Sequence, residues 1–157
     1  MTLTDRIRLA RLVITVSLLA IAGLTLYPES ATVTSPWNCI VCGTRGTADM
    51  FLNILLFAPL GVGLALAGVR HGTAFVLAAT ISGTVELAQV FIPGRDASIG
   101  DLISNSAGSG LGFALVVSAR HWLAPTQSAA RWLTLGASFA TAGIVMLTGV
   151  MLQPTPQ

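Results

Sequence analysis

Side chains that could bind a ligand or carry a proton are concentrated in three stretches of an otherwise apolar sequence. Each stretch offers an acid and an amide three or four residues apart: Asp49 with Asn53, Glu86 with Gln89, and Asp101 with Asn105. Residues at this spacing lie on the same face of an α-helix. Three helices could therefore each present a carboxylate and a carboxamide to the polar part of a ligand.

Glu86 is the best candidate for proton transfer. About six residues separate it from Pro93, which corresponds to ~9 Å of helix. A carboxylate that far inside an apolar helix should face other parts of the protein. Arg95 is its nearest expected partner, and its guanidinium suits a phosphate or a carboxylate. The predicted site has two catalytic or orienting members, Glu86 and Asp101, and four ligand-binding members, Asn53, Gln89, Arg95 and Asn105. The sequence leaves open whether any reaction is catalysed.

The elements that must hold these side chains are membrane helices. Hydrophobic residues make up 54% of the 157 residues and charged residues only 9%, and the mean hydropathy is +0.81. Soluble domains carry about 25% charged residues, so a soluble globular protein is excluded, as is a disordered chain. Five apolar runs have about the length of a spanning helix: residues 12–27, 50–69, 73–91, 99–119 and 133–152. We expect an all-α membrane bundle of about five helices that forms one domain over residues 1–157.

The arginines predict the orientation of this bundle. With the N-terminus inside, Arg6, Arg8, Arg11, Arg70, Arg120 and Arg131 lie on the inner side, and only Arg45 and Arg95 lie outside. This agrees with the excess of basic residues in cytoplasmic segments of membrane proteins. The C-terminus then lies outside, residues about 28–48 form an outer loop, and the acid and amide pairs come to the outer side.

Small residues at every fourth position predict close helix packing. Ser104, Gly108 and Gly112 form a stripe on which a neighbouring helix can approach closely. The same stripe could also pack against a second copy of the chain, so a homo-oligomer stays an open alternative.

Cys39 and Cys42 form a CxxC motif in the expected outer loop. An extracytoplasmic compartment permits disulfides, so a local disulfide or an unpaired dithiol that braces the loop is the simplest interpretation. A redox role and an incomplete metal site are the alternatives. The carboxylates could also coordinate a hard cation such as Mg²⁺, but we predict neither a metal site nor a cofactor.

Several motifs occur in a fixed order along the chain. An Asn-x3-Phe-x-Pro-Leu-Gly stretch at 53–61 precedes Glu-x2-Gln at 86–89, Arg95, Asp101-Leu102 and Asn105-x2-Gly108. Together they resemble the VanZ-like family of small bacterial membrane proteins over about residues 48–113. The resemblance implies a multi-pass protein of the bacterial cytoplasmic membrane with a role in the cell envelope. The family's founding member is associated with teicoplanin resistance, and the six predicted residues are carried over as family-signature positions.

The function that these features favour is binding of, or action on, a lipid-linked or amphiphilic ligand at an outward-facing polar site. Membrane lipids, including a lipid-linked cell-wall precursor, are the expected partners, whereas a net charge of +2 does not indicate nucleic acid binding. Three alternatives stay open. They are a proton- or ion-coupled transporter, a quinone-linked thiol oxidase that uses Cys39 and Cys42, and a structural protein whose polar residues hold its helices together.

Overall fold

Six helices make up most of the chain in a computed structural model that describes residues 2–28, 38, 40–41, 46–95, 97–124 and 126–151. They are α1 (Leu3–Thr25), α2 (Gly46–Leu66), α3 (His71–Gln89), α4 (Ile99–Val117), α5 (Ala119–Leu123) and α6 (Gln127–Met151). These ranges contain no strand. The prediction of an all-α fold is confirmed.

Local sequence signals explain where α1 and α4 begin. The Thr2 hydroxyl accepts a hydrogen bond from the Asp5 N–H, and the Asp5 carboxylate accepts one from the Thr2 N–H, which together form a capping box. At α4, the Ser98 hydroxyl accepts hydrogen bonds from the N–H groups of Gly100 and Asp101. Between α3 and α4, the chain turns at Gly94, whose φ of 77° suits glycine because it has no Cβ.

The chain forms two compact units, Met1–Val117 and Ser118–Gln157. The first contains α1 to α4, and the second contains the short helix α5, which the sequence did not predict, and α6. The expectation of one domain over residues 1–157 stays a prediction.

Among the described residues, two helices, α1 and α2, are long and apolar enough to cross a membrane. Only 17% of the apolar window of α1 and 28% of that of α2 is buried within the protein, so most of their apolar surface faces outward. In α3 and α4 polar side chains lower the hydropathy, and several of them are buried against other helices: Ser82, Glu86, Gln89, Ser104, Asn105 and Ser109. The count of five spans and their orientation stay predictions.

Helix α2 is the centre of the first unit. It packs most extensively on α4, and then on α1 and α3. A Cβ added at Gly61, Gly108 or Gly112 would overlap the backbone of the facing helix. The predicted close approach at Gly108 and Gly112 is therefore confirmed, with α2 as the neighbour. Phe57 and Leu60 of α2 are fully buried in the resulting core.

Candidate functional site

Four helix ends meet at one end of the first unit, which we call the polar end. It comprises the C-terminal ends of α1 and α3 and the N-terminal ends of α2 and α4. Gln89 Nε2 donates a hydrogen bond to the Thr25 carbonyl (3.0 Å), which joins α3 to α1. Asn53 Nδ2 donates to Asp101 Oδ1 (2.7 Å), which joins α2 to α4. Sequence reasoning predicted that these polar residues share one side, and the described contacts bring them together.

Arg95 connects the turn after α3 to the end of α1. Its Nε donates to the Tyr27 carbonyl (3.0 Å) and its Nη2 to the Leu24 carbonyl (2.7 Å). The last carbonyls of a helix lack partners within the helix, and a cation near them is electrostatically favourable. Arg95 thus holds the C-terminal end of α1 in place.

Glu86 lies at the junction of α3 and α4. Its Oε2 accepts a hydrogen bond from the Ser98 N–H (2.7 Å), and Ser98 is the residue whose hydroxyl caps α4. Glu86 is only 9% exposed. The partner that the structure gives this buried carboxylate is a backbone amide, whereas the sequence suggested Arg95.

Asn105 lies deeper in the bundle, where it joins α4 to α3. Its Nδ2 donates to the Ser82 hydroxyl (3.0 Å), and the residue is 1% exposed. Hydrogen bonds between helices of membrane proteins commonly contribute to helix association. The contact of Asn105 is of this kind.

A cavity of about 730 Å³ opens at the polar end, and we call it the end cavity. Ligand pockets usually measure about 300–1,000 Å³. Its wall has a polar part and an apolar part. The polar side chains are those of Thr25, Asp49, Asn53, Gln89, Arg95, Ser98 and Asp101, and the larger apolar ones are those of Leu24, Ile40, Met50, Leu52, Leu55 and Leu56.

Four of the six predicted site residues line the end cavity: Asn53, Gln89, Arg95 and Asp101. Glu86 and Asn105 do not appear in its wall. Sequence reasoning left out Asp49, although its spacing of four residues from Asn53 had placed both on one face. It also left out Thr25 and Ser98, because ordinary hydroxyl residues carry no signal of a site.

Two buried amide oxygens in the described part of the chain have no hydrogen-bond partner. They are Gln89 Oε1 and Asn105 Oδ1. Buried polar atoms are nearly always paired, so each exception calls for an explanation. Of these two side chains, that of Gln89 also lines the end cavity.

Acidic side chains at the site are few. Asp49 and Asp101 both line the end cavity.

Within the described ranges, no group of three or more His, Cys, Asp or Glu side chains is placed to hold a metal ion. Cys39 and Cys42, for which a disulfide was expected, lie outside the described residues.

The fold and the site define a helical membrane protein with a partly polar cavity where four helix ends meet. The VanZ/LLP1 family model matches residues 6–120. This is well over half of the chain, which therefore belongs to the VanZ/LLP1 family, as its motifs indicated. No curated protein and no solved structure matches the chain significantly.

Proposed function

We propose that this VanZ-like protein binds an amphiphilic, lipid-type ligand and holds the polar head of that ligand in the end cavity. The observation that carries the proposal is the mixed wall of the cavity, in which two carboxylates and two carboxamides stand beside leucine and methionine side chains. Sites for small ligands are typically apolar with a few placed polar groups. A ligand with an apolar part and a polar part fits this wall better than a free ion does.

The polar groups of the wall indicate what the head should offer. Asp49 and Asp101 accept hydrogen bonds and attract cations, so they favour hydroxyl or ammonium groups. Gln89 Oε1 has no partner among the described residues, and a hydroxyl or ammonium group is the kind of donor that it lacks. Arg95 contributes a guanidinium charge suited to a phosphate or carboxylate. A head that carries both hydroxyl or ammonium groups and a phosphate, as lipid-linked cell-wall precursors do, would use all of these residues.

The proposal places the protein as a multi-pass component of the bacterial cytoplasmic membrane, with the end cavity on the outer side. Six of the eight arginines then lie inside. The family's association with teicoplanin resistance extends the proposal to the cell envelope. Comparing the teicoplanin susceptibility of a bacterium with and without the protein would test that extension separately from ligand binding.

The binding proposal is tested by the lipids that copurify with the protein. The protein is extracted in a mild detergent, and its bound lipids are measured by mass spectrometry for the wild type, for Asp49→Asn with Asp101→Asn, and for Asp5→Asn. Asparagine at position 101 keeps an oxygen that can accept the hydrogen bond from Asn53, so the double variant removes charge but preserves this contact. Asp5→Asn makes the same chemical change at the other end of α1.

We expect the double variant to retain several-fold less of the specific lipid, with the Asp5→Asn variant unchanged. Equal lipid content in all three folded proteins would refute a ligand site at the polar end.

A structural role is the second candidate, and it is favoured for particular residues. Glu86, Arg95 and Asn105 each make hydrogen bonds that join helices or helix ends. Under this alternative, substitutions of these residues reduce stability, and the Asp49→Asn and Asp101→Asn double variant has no effect on lipid content. The transporter and thiol oxidase alternatives have no contact in the described residues that favours them.

A further inference from the structure

A second cavity, of about 440 Å³, lies between α1 and α2, and we call it the chain groove. Its wall includes Leu12, Val16 and Ala20 from α1 and Leu55, Leu56 and Pro59 from α2. Among the described residues of the wall, Ser17 carries the one hydroxyl, and it donates to the Val13 carbonyl within its own helix (2.6 Å). The groove therefore offers hydrocarbon contact and no hydroxyl that needs a partner.

The chain groove adjoins the end cavity. Leu55 and Leu56 line both. On α1 the end cavity is lined at Leu24 and the groove extends to Leu12, which is about 18 Å along a helix. One leaflet of the bilayer contributes about half of a ~30 Å hydrocarbon core. The two cavities together thus extend along α1 over roughly the depth of one leaflet.

We propose that the chain groove holds one hydrocarbon chain of the ligand whose polar head occupies the end cavity. This inference rests on the proposed function and narrows the ligand to a lipid with a chain long enough to reach Leu12. Packed helices lie only 8–10 Å apart axis to axis and leave no space for a chain between them. The chain therefore lies along the outer surface where α1 meets α2, at which Leu12, Val16 and Leu55 are more than half exposed. The occupant is a lipid chain rather than a protein segment, because the groove begins at the wall of a polar cavity.

The groove should affect which hydrocarbon chain is bound more than it affects the binding affinity. Bilayer hydrocarbon is as apolar as leucine, so moving a chain from lipid into the groove gives no hydrophobic gain. What the groove adds is packing, which depends on the position and length of the chain. The experiment must therefore measure where the chain lies.

The probe is phosphatidylethanolamine with a photoreactive diazirine near the end of one acyl chain. Its head carries an ammonium and a phosphate. The full-length protein is reconstituted with this lipid and irradiated, and the labelled peptides are identified by mass spectrometry. We expect labelling at the far end of the groove, around Leu12 to Val16. Excess unlabelled lipid of the same head and chain length should compete, and a short-chain analogue should compete several-fold less.

Two pairs of variants test the groove itself. Ala20→Phe fills the groove just beyond the end cavity, whereas Ala22→Phe makes the same change at an exposed position outside its wall. Val16→Phe and Leu19→Phe form a second pair in case Ala20→Phe does not fold. Val16 is 56% exposed and lines the groove, and Leu19 is 68% exposed and does not. In each pair, the first variant should lose labelling several-fold while the second retains it.

The result distinguishes this inference from the proposed function. If the Asp49 and Asp101 variants lose the lipid but the groove variants label like their controls, the head site stands and the chain inference is wrong. If the Asp variants keep the lipid, the proposed function fails first. Crosslinks between two copies of the chain at these positions would show that protein covers the groove, and would also overturn the inference.

Discussion

At the scale of single residues, the structure separates side chains that the sequence could only group together. Glu86 looked like a proton-transfer residue because it is an acid deep in an apolar helix. Its carboxylate accepts the Ser98 N–H, and Ser98 in turn caps α4. This contact gives Glu86 a positioning role at the junction of α3 and α4, next to the end cavity that Ser98 lines.

Substitutions of Glu86 should separate hydrogen bonding from proton transfer. Glu86→Gln keeps an oxygen that can accept the Ser98 N–H, whereas Glu86→Ala leaves that N–H without this acceptor. An intramolecular hydrogen bond of this kind contributes about 0.5–1.5 kcal/mol to stability. We expect Glu86→Ala to lower the unfolding free energy by about this amount and Glu86→Gln to lower it far less, as measured by denaturation in detergent micelles. Equal losses for both variants would contradict the positioning role.

At the scale of helices, close packing depends on which face each glycine occupies. Gly112 touches the backbone of α2 at Ala58, whereas a Cβ added at Gly110 meets nothing within 4 Å. Both residues lie in α4 only two positions apart. They therefore form a matched pair in which helix propensity changes equally and packing does not.

Alanine at these two positions should have different effects on stability. An added Cβ stabilises an exposed helix interior by up to about 1 kcal/mol relative to glycine. We expect Gly110→Ala to be neutral or stabilising. Gly112→Ala should be destabilising by about 1–3 kcal/mol, because it overpacks the contact with α2. Thermal unfolding of the two purified variants in the same detergent checks this, and a stabilised Gly112→Ala would mean that α2 and α4 do not pack as described.

The link between Arg95 and α1 makes a second prediction at this scale. Lysine keeps the charge but has one ammonium in place of the fork that reaches the carbonyls of both Leu24 and Tyr27. Arg95→Lys should therefore loosen the C-terminal end of α1. We expect faster amide hydrogen exchange in residues about 22–27, with exchange near the capped start of α1 unchanged. Arg70→Lys, at an exposed position, serves as the control.

The helices were predictable from sequence because a long apolar run indicates a helix without any knowledge of its tertiary contacts. Each of the five runs overlaps one long helix, and the spacing of Gly108 and Gly112 correctly indicated close packing. The pairing of polar groups was not predictable in the same way. Helical spacing places Asp49 and Asn53 on one face, but it does not say that Asn53 will bond Asp101 of another helix. The chain groove was also missed, because leucine and alanine in its wall look like any lipid-facing surface.

At the scale of the whole molecule, the first unit combines a polar end and an apolar length. The end cavity and the chain groove share Leu55 and Leu56 on α2. The opposite end of the α1–α2 pair is held by Arg6, whose Nε donates to the Leu66 carbonyl (2.8 Å). The end cavity opens at the polar end of this unit, and four predicted site residues line it: Asn53, Gln89, Arg95 and Asp101.

The orientation of the whole chain supplies the last prediction. Five spans with the N-terminus inside put the connection near Ala124 in the cytoplasm and the C-terminus outside, because Arg120 and Arg131 flank that connection. A green fluorescent protein fused after Ala124 should fluoresce, and alkaline phosphatase fused after Gln157 should be active, since the first matures inside and the second outside. A phosphatase fused after Ala124 is the control and should be inactive. Fluorescence of a green fluorescent protein fused after Gln157 would instead require an even number of spans. Together with fluorescence of the fusion after Ala124, it would leave α6 on the inner side.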